Sequence, residues 1–597
     1  MPETVLSLDL GSLRRVYQAG VLRPADVMAE VLARIAARGE DAVWIHRLPP
    51  NTVEEYVRAL DGRDPATLPL YGVPFAVKDN IDLAGVPTTA GCPGFAYTPA
   101  RTAPAVERAI AAGAIPIGKT NLDQFATGLV GTRSPYGVPA NPFDAGRIPG
   151  GSSSGSAVAV ACGLVSFAFG TDTAGSGRVP AAFNNVVGLK PTRGLVSTTG
   201  VVPACRTLDC VSVFALTCDD AADVLGVVSG FDDTDPFSRR APEAAGLVGA
   251  RFRFGVARDA QLEFFGNVAG EAVYRAAVER LRALGGEFVT IDLEPFLQVG
   301  LLLYEGTWVA ERYAAVGAFI DEHPEAVLPV TREIIAGGAR PSAAEHFAAA
   351  YRLQERKRDV ERTWETVDVL VLPTAGMAFP LADVAADPLG PNKRLGRYCN
   401  FTNLLDLSAI AVPAGFESTG MPFGVTLMAP AFHEARLLEI GGRLHAAAGV
   451  PMGATSHPVP AAVPRPPAAS RVQVVVCGAH MSGLSLNPQL ADRGGRLIES
   501  TRTAPVYRMV ALPDGRPGLE RVDAGGAIEV EVWDLPTAAF GSFVAQIPPP
   551  LGIGSVRLAD GREVKGFLCE AVAARNARDV TSYGGWRAYL AASRTSS

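Results

Sequence analysis

The chain is 597 residues long, 48% hydrophobic and 19% charged, with a formal net charge of −7. This length exceeds the roughly 250–300 residues at which a single hydrophobic core stops growing, so more than one domain is expected. The acidic balance argues against nucleic acid as the main partner. No uninterrupted apolar run of about 18 residues predicts a membrane helix, so no membrane association is expected.

The first four residues show neither a basic segment nor an apolar one, so no secretory signal is predicted. The eight cysteines are scattered without a Cys-x-x-Cys pair, and the seven histidines lack metal-ligand spacing. Scattered thiols in a long chain without a signal are typical of reduced, structural cysteines. The sequence therefore predicts a soluble, cytoplasmic enzyme without a metal.

Helical and strand-like segments alternate along residues 1–455. Helical patterns cover residues 25–38, 103–112, 271–284 and 343–363, and the run at 369–372 is typical of a short β-strand. Such alternation predicts an α/β fold in which helices cover a mostly parallel or mixed sheet.

A proline-rich segment ends this region. Six prolines lie between positions 451 and 470, interleaved with alanine and valine, and such a segment behaves as an extended spacer. We therefore predict a large domain over residues 1–455, a linker over 456–470 and a small domain over 471–597.

The small domain is richer in strands. Strand patterns cover residues 472–476, 506–512, 528–533 and 554–558, and a helix expected near 586–592 would cover a sheet edge. The pattern predicts a compact β-rich module, either barrel-like or α+β.

Two glycine-rich turns, at residues 150–156 and 170–178, contain Ser152 and Ser176. Glycine lets backbone amides approach a reacting atom, and a serine attacks a carbonyl well only when such amides receive the oxyanion and a base takes its proton. A flexible Gly/Ser linker is the alternative interpretation. Apolar runs fill the sequence between the two turns and indicate a buried core instead, so the turns predict a serine nucleophile.

Lys78 directly follows an apolar run that predicts a buried strand. Considered alone, such a lysine is more often a surface residue whose stem covers apolar surface. No histidine lies near either serine turn, however, so the serines need another base. A buried lysine can serve as a neutral amine when its pKa falls far below about 10.4.

The sequences around these three residues, VKDN, GGSSSGS and GTDTAGSGRVP, resemble the amidase signature family, and the resemblance covers most of residues 1–450. It continues through GLKPTRG at residues 188–194. It implies a triad in which Ser176 is the nucleophile and Ser152, in a cis peptide, passes the proton to neutral Lys78.

The same resemblance implies an oxyanion hole formed by the N–H groups of Thr173, Ala174 and Gly175. Asp172 and Arg178 are expected to hold the shape of the loop. Positions 154 and 174 differ from many members of the family, which have GGSSGGS or TDIGGS there. Neither position belongs to the triad, so the implied activity stands.

Residues 113–120 match the phosphate-binding pattern GxxxxGK[ST], with Lys119 at the lysine position. In a true phosphate-binding loop a strand precedes the first glycine. Here a helical pattern precedes Gly113, and residues 114–117 themselves have the pattern of a strand, so Gly113 is expected to end a helix. Nucleotide hydrolysis is therefore not predicted.

Tyr304 and Arg312 lie eight positions apart in a helical pattern, so both side chains can reach one cavity from a single helix. Without context, a core tyrosine and a surface arginine would be the simpler interpretation. The segment resembles that of allophanate hydrolases, which implies that the pair holds a substrate carboxylate; arginine binds carboxylates through two parallel hydrogen bonds. Gly128 is expected to border the same site.

The small domain resembles the C-terminal domain of allophanate hydrolases at residues 476–483, 550–554, 565–570 and 584–590. Plain amidases are not expected to carry this extension. The implied fold is similar to γ-glutamyl cyclotransferases, but residues 537–542 contain no acid where those enzymes use a glutamate, so cyclotransferase activity is not predicted. His480 either polarises an N-carboxylated product and speeds its loss of CO₂ or is structural.

The resemblance implies hydrolysis of allophanate, a small anionic amide, to ammonia and N-carboxycarbamate, which goes on to ammonia and CO₂. This reaction would follow urea carboxylation. The resemblance further implies no cofactor, a homodimer, and a urea carboxylase as a possible partner. The alternative is a broad-specificity small-amide hydrolase of the same family whose small domain is only a docking module.

Overall fold

The computed structural model describes residues 6–242, 251–304, 306–460 and 471–595. The chain divides into two compact units, Met1–Ala462 and Val463–Ser597. Part of the predicted linker, residues 461–470, lies outside the described residues. Before it, Pro451 pairs with Pro458 in a short bridge, and Asn185 donates hydrogen bonds to the carbonyl oxygens of Pro451 and Gly453. The first prolines of the segment therefore pack onto the large unit.

The large unit is built on a mixed β-sheet. Its strands are β1 (Trp44–Arg47), β2 (Pro74–Lys78), β3 (Ile115–Thr120), β4 (Phe167–Asp172), β5 (Val187–Lys190), β6 (Cys210–Ala215), β7 (Phe252–Ala257), β8 (Gly286–Ile291), β9 (Val369–Pro373), β10 (Ser408–Phe416) and β11 (Pro422–Ala429). Within the described residues they form an 11-stranded sheet in the order β1-β3-β2-β4-β6-β5-β10-β11-β9-β7-β8.

Helices pack against this sheet and complete the large unit. They are α1 (Leu10–Gln18), α2 (Pro24–Arg38), α3 (Pro50–Arg58), α4 (Pro104–Ala111), α5 (Ser154–Ala161), α6 (Val179–Phe183), α7 (Cys218–Val228), α8 (Val268–Ala283), α9 (Glu294–Tyr304), α10 (Val309–Glu322), α11 (Pro329–Ala336), α12 (Ala343–Glu361), α13 (Leu381–Ala386), α14 (Gly390–Leu395), α15 (Phe401–Leu404) and α16 (Glu434–Ala448).

The predicted α/β fold class is confirmed. The four predicted helices correspond to α2, α4, α8 and α12, with small displacements of their ends, and the predicted strand at 369–372 is β9. The start of α12 shows how the sequence sets a boundary: the Ser342 hydroxyl accepts a hydrogen bond from the backbone N–H of Glu345, whose carboxylate accepts one from the backbone N–H of Ser342.

Strands β2 and β4 position several of the predicted site residues. They are parallel neighbours, and every residue of both is buried. Phe75 of β2 stacks on Phe167 of β4 with ring centroids 5.1 Å apart, as expected for apolar strands covered on both faces. Because parallel strands end at the same edge of a sheet, Lys78 at the end of β2 and the loop after Asp172 at the end of β4 meet there.

Residues 113–120 form the end of a helix and a strand, as the sequence predicts. Gly113 follows α4 with a φ of +98°, and its N–H donates to the carbonyl oxygen of Ile110. Lys119 is buried within β3, where its ammonium group donates to Thr88 Oγ1 at 2.9 Å and lies 3.3 Å from Asp79 Oδ1. The lysine is therefore part of a buried ion pair.

The small unit is β-rich, as predicted. Its strands are β12 (Arg471–Val476), β13 (Arg496–Arg502), β14 (Tyr507–Ala511), β15 (Pro517–Arg521), β16 (Glu529–Pro536), β17 (Leu551–Arg557), β18 (Glu563–Cys569) and β19 (Arg578–Asp579). They form a five-stranded sheet, β13-β16-β12-β18-β17, and a three-stranded sheet, β15-β14-β19. The helices are α17 (Pro488–Ala491), α18 (Thr537–Val544), α19 (Ala571–Ala574) and α20 (Trp586–Thr595).

The predicted strands of the small unit correspond to β12, β14, β16 and β17, and the predicted terminal helix is α20. The sequence did not predict β13, β15, β18 or β19. Of these, β13 lies at a sheet edge and has no buried residue. An edge strand with charged residues lacks the apolar alternation on which strand prediction depends.

No helix in the described ranges is long and apolar enough to cross a membrane. In the same ranges, no group of three or more His, Cys, Asp and Glu side chains is arranged to hold a metal ion.

Candidate active site

Lys78 is fully buried between two hydroxyl groups. Its ammonium nitrogen lies 2.7 Å from Ser152 Oγ and 2.8 Å from Thr171 Oγ1, and it donates a hydrogen bond to each. Burial lowers the pKa of Lys78 to about 7, although the nearby carboxylates of Asp123 and Asp172 oppose the shift. A lysine with this pKa is a neutral amine in a large fraction of molecules at neutral pH and can accept a proton.

Ser152 follows a cis peptide bond between Gly151 and Ser152. The backbone around it is fixed from both sides: the N–H of Gly151 donates to the carbonyl oxygen of Leu129 at 2.8 Å, and that of Asp123 donates to the Ser152 carbonyl oxygen at 3.1 Å. A Cβ atom at Gly151 would lie only 2.1 Å from Asp123 Oδ2, so this position requires glycine.

Ser176 lies in the loop that follows β4 and is 3% exposed. Its hydroxyl makes no hydrogen bond with any residue that the structure describes, so the expected relay from Ser176 to Ser152 is not formed as a direct bond here. Three backbone N–H groups precede it, those of Thr173, Ala174 and Gly175. They donate to no other group in the described part of the chain, which leaves them available to an oxyanion.

The loop is held by a buried ion pair. The Arg178 guanidinium donates to both carboxylate oxygens of Asp172, at 2.9 and 3.0 Å, and both side chains are fully buried. The N–H of Gly177 donates to the same carboxylate at 3.0 Å, and Asn403 donates to the Asp172 carbonyl oxygen. This geometry agrees with the predicted structural role of Asp172 and Arg178.

Tyr304 and Arg312 come together, but from two helices. Tyr304 is the last residue of α9 and Arg312 lies in α10, so the predicted single helix is wrong. The break between the two helices contains Gly306, so the offset expected from one continuous helix does not apply. Arg312 still donates to the Tyr304 hydroxyl at 3.3 Å, and its guanidinium carbon lies 5.4 Å from the ring centroid.

Arg312 is 2% exposed and also donates to Thr127 Oγ1 at 3.1 Å. None of the described carboxylates forms a salt bridge with it. Its positive charge is close enough to Lys78 to lower the pKa of that amine, which indicates that the two groups share one region. A buried guanidinium of this kind can receive the carboxylate of a ligand.

Gly128 directly follows Thr127 and has a φ of +150°. A Cβ atom there would lie 2.9 Å from Asp123 Oδ2 and 3.2 Å from Arg133 Cδ. The position therefore requires glycine, in the same loop that supports Ser152 through Asp123 and contacts Arg312 through Thr127.

The sequence interpretation missed several polar residues of the site. Thr171 accepts hydrogen bonds from both Lys78 and Asn80, the latter at 3.2 Å. Asp209 accepts a hydrogen bond from the Thr173 hydroxyl. Thr171 and Asn80 belong to the sequence motifs that contain the predicted triad residues, so their places in those motifs could have identified them. Asp209 stands in no such motif, and only the fold brings it to the loop.

In the small unit, His480 borders a cavity of about 250 Å³. Its imidazole stacks on Phe567 with centroids 5.1 Å apart, meets the edge of Phe543, and has Nε2 3.0 Å from Gln489 Oε1. Burial lowers the pKa of His480, with the Gln489 contact opposing the shift. A neutral imidazole is therefore favoured at this position.

The sequence matches the Amidase family over residues 26–438 and the Allophanate hydrolase C-terminal domain family over residues 472–591. It is 43% identical over 574 residues to the urea amidolyase of Saccharomyces cerevisiae, a match covering 92% of this chain but 31% of that protein. The chain thus spans about a third of the length of the urea amidolyases it matches.

The structure is similar to that of Kluyveromyces lactis allophanate hydrolase, with a TM-score of 0.75 and 39% identity over 98% of this chain and 99% of that chain. A glutamyl-tRNA(Gln) amidotransferase subunit of Chloroflexus aggregans is 35% identical over 469 residues, which are 73% of this chain and 95% of that protein. The chain therefore belongs to the amidase family and carries an allophanate hydrolase C-terminal domain.

Proposed function

We propose that this amidase-family chain hydrolyses allophanate with Ser176 as nucleophile and Ser152 and Lys78 as its proton path. The observation that carries the proposal is the pairing of two buried groups: an amine with a lowered pKa, bonded to Ser152, and the Arg312 guanidinium without a carboxylate partner among the described residues. The first suits amide cleavage, and the second suits an amide that bears a carboxylate.

In the first step, Ser176 Oγ attacks the terminal carbonyl carbon of allophanate. Its proton passes to Ser152, whose own proton passes to neutral Lys78. The negative charge that develops on the carbonyl oxygen is received by the free N–H groups of the loop, which cost no reorganisation because the Asp172–Arg178 pair already holds the loop.

The proton then returns from Lys78 through Ser152 to the leaving nitrogen, and ammonia departs. The Ser176 ester that remains carries the –NH–COO⁻ group of the substrate. Arg312 and Tyr304 hold that carboxylate through both steps, which keeps the carbonyl carbon over Ser176. Gly128 borders the same region, directly after the Thr127 hydroxyl that accepts from Arg312.

Water next attacks the ester carbonyl and gives up its proton along the same path, which restores Ser176 and releases N-carboxycarbamate. This dianion takes up a proton and loses CO₂ to give carbamate, which takes up a second proton and breaks down to ammonia and a second CO₂. One allophanate therefore yields two ammonia and two CO₂. Because the substrate is a carboxylated urea, we propose that a urea carboxylase catalyses the preceding reaction.

Ammonia release from allophanate, biuret, urea and malonamate tests the substrate. We expect the highest kcat/KM for allophanate, with two equivalents of ammonia per substrate consumed. Malonamate, which retains the carboxylate, should be turned over more readily than neutral urea. Faster hydrolysis of neutral amides than of allophanate would instead favour a broad small-amide hydrolase.

For the small unit, we propose that the His480 cavity receives N-carboxycarbamate and speeds its loss of CO₂. The cavity is apolar on the side of Phe543 and Phe567, and removal of water favours decarboxylation of an anion because charge is dispersed as the bond breaks. The alternative is a docking role without chemistry. Residues 1–455 alone, compared with the whole chain, distinguish the two: an unchanged rate of CO₂ release would favour docking.

A further inference from the structure

A short segment, residues 204–209, contacts the oxyanion loop at one end. Asp209 is 5% exposed and accepts three hydrogen bonds there. Its Oδ1 accepts from the Thr173 hydroxyl and from the N–H of Cys205 at 3.2 Å, and its Oδ2 accepts from the N–H of Ala204 at 2.9 Å. No lysine or arginine of the described residues forms a salt bridge with this carboxylate, so its partners are donors of the loop and of its own segment.

Two other residues of the segment, Cys205 and Thr207, contact helix α10 or the residue before it. The N–H and hydroxyl groups of Thr207 donate to the two carboxylate oxygens of Glu311, at 2.6 and 2.8 Å. Glu311 directly precedes Arg312. The thiol of Cys205 also donates to the carbonyl oxygen of Trp308, the residue before α10. The segment is therefore joined to the oxyanion loop and to the helix that presents Arg312.

We propose that Asp209 is a positioning residue: it fixes Thr173 and the oxyanion amides, and residues 204–209 tie them to the helix of Arg312. The inference rests on the proposed function for the role of Arg312. It assigns the carboxylate a task that an amide cannot fully perform, because each carboxylate oxygen accepts from a backbone N–H, Oδ1 from that of Cys205 and Oδ2 from that of Ala204. Asparagine would turn an NH₂ group toward one of them and lose that bond.

The charge of Asp209 also acts on the catalytic base. Four charged groups face Lys78: Asp123, Asp172 and Asp209 raise its pKa, while burial and the Arg312 guanidinium lower it. Burial raises the pKa of Asp209 itself to about 6, against its hydrogen bonds and Arg312. Above about pH 6 the Asp209 carboxylate is ionised, so the loss of its negative charge should lower the pKa of Lys78.

The test is Asp209→Asn in the full chain, with kcat and kcat/KM for allophanate measured from pH 5.5 to 9. We expect kcat to fall about 100-fold, the size of effect seen when one oxyanion donor is lost. The acid limb of kcat/KM should move to lower pH than in the wild type. Circular dichroism and thermal unfolding report whether the variant is folded.

Asp235→Asn is the matched control. Asp235 is equally buried, at 5% exposure, and accepts from the N–H and hydroxyl of Thr198. It is not among the charges that act on Lys78 or Arg312. This variant should lose stability and keep the wild-type kcat and acid limb. A folded Asp209→Asn enzyme with wild-type kcat and acid limb would overturn the inference, and so would equal effects of both variants.

Thr173→Val keeps the inference testable if Asp209→Asn does not fold. It removes the hydroxyl donor but leaves the Asp209 charge in place, so kcat should fall while the acid limb stays where it is. Wild-type kcat in this variant would contradict the positioning role. If the wild type hydrolyses another amide rather than allophanate, the same variants are measured on that amide, because the oxyanion loop would serve any amide. A wrong substrate assignment is then distinguished from a wrong role for Asp209.

Discussion

Lys78 is a fully buried base and His480 is a partly buried one, and their surroundings differ. Lys78 donates to two hydroxyl groups, and burial lowers its pKa to about 7 although the carboxylates of Asp123, Asp172 and Asp209 oppose the shift. His480 lies between two aromatic rings with one amide partner. The comparison teaches that removal from water alone favours the neutral form of a base, whereas a hydrogen bond to a serine hydroxyl, here that of Ser152, gives the base a group with which it can exchange a proton.

The largest expected effect is at Ser176, the proposed nucleophile. Ser176→Ala should reduce ammonia release from allophanate by about 10⁴- to 10⁶-fold, because the ester of the proposed mechanism forms on the Ser176 hydroxyl. Ser154→Ala is the control from the neighbouring turn, since the buried Ser154 hydroxyl has no hydrogen-bond partner within the described residues. Appreciable activity of folded Ser176→Ala would disprove the assignment.

Replacement of the base should have the next largest effect. Lys78→Met removes the proton acceptor and should lower kcat by about 10³-fold or more. Lys190→Met offers an equally buried lysine as a control; its ammonium group donates to the carbonyl oxygen of Pro191 instead. Ammonia assays at pH 8 compare the two. Similar losses in both variants would indicate that buried lysines matter here only for folding.

The third prediction concerns substrate recognition. Arg312→Met should raise KM for allophanate about 100-fold, because a charge-assisted hydrogen-bonded pair contributes on the order of 1.5–3 kcal/mol. For a neutral amide the change should be small. Tyr304→Phe removes one hydroxyl and should raise KM for allophanate only about fivefold. Equal losses on charged and neutral substrates would assign Arg312 to the support of Thr127 rather than to the carboxylate.

The pH dependence of the wild type should show the base directly. In the proposed mechanism the neutral amine of Lys78 is the active form, so kcat/KM should rise as pH increases through about 7 and then level off. Between pH 6 and 8 the expected rise is about tenfold. A profile that is flat over this range, or that falls as pH rises, would exclude a base with this pKa.

The smallest effect is expected at His480 in the small unit. His480→Ala should leave the release of the first ammonia unchanged and slow the appearance of CO₂, because N-carboxycarbamate then decays without help. Stopped-flow detection of both products checks this. Gln489→Ala removes the amide partner of His480 and serves as a milder variant. Unchanged CO₂ release in His480→Ala would leave the cavity without a chemical role.

Much of the fold could be predicted because its signals are local. The buried run before Lys78 predicts β2, and the Ser342–Glu345 pair marks the start of α12. By contrast, β13 escaped prediction because an edge strand does not need an apolar face. The single helix expected for Tyr304 and Arg312 failed because eight-residue spacing fits both one helix and two helices joined by a turn.

By itself, the sequence determined the chemical types of the site: glycines where a Cβ would clash, two serines, a lysine after a buried strand, and an arginine with a tyrosine nearby. Only the tertiary structure decided which of these groups meet. Parallel pairing of β2 and β4 brings Lys78 to Thr171, and burial there lowers its pKa. Residue type is a local property, whereas distance and desolvation depend on segments far apart in the chain, such as the one that brings Asp209 to Thr173.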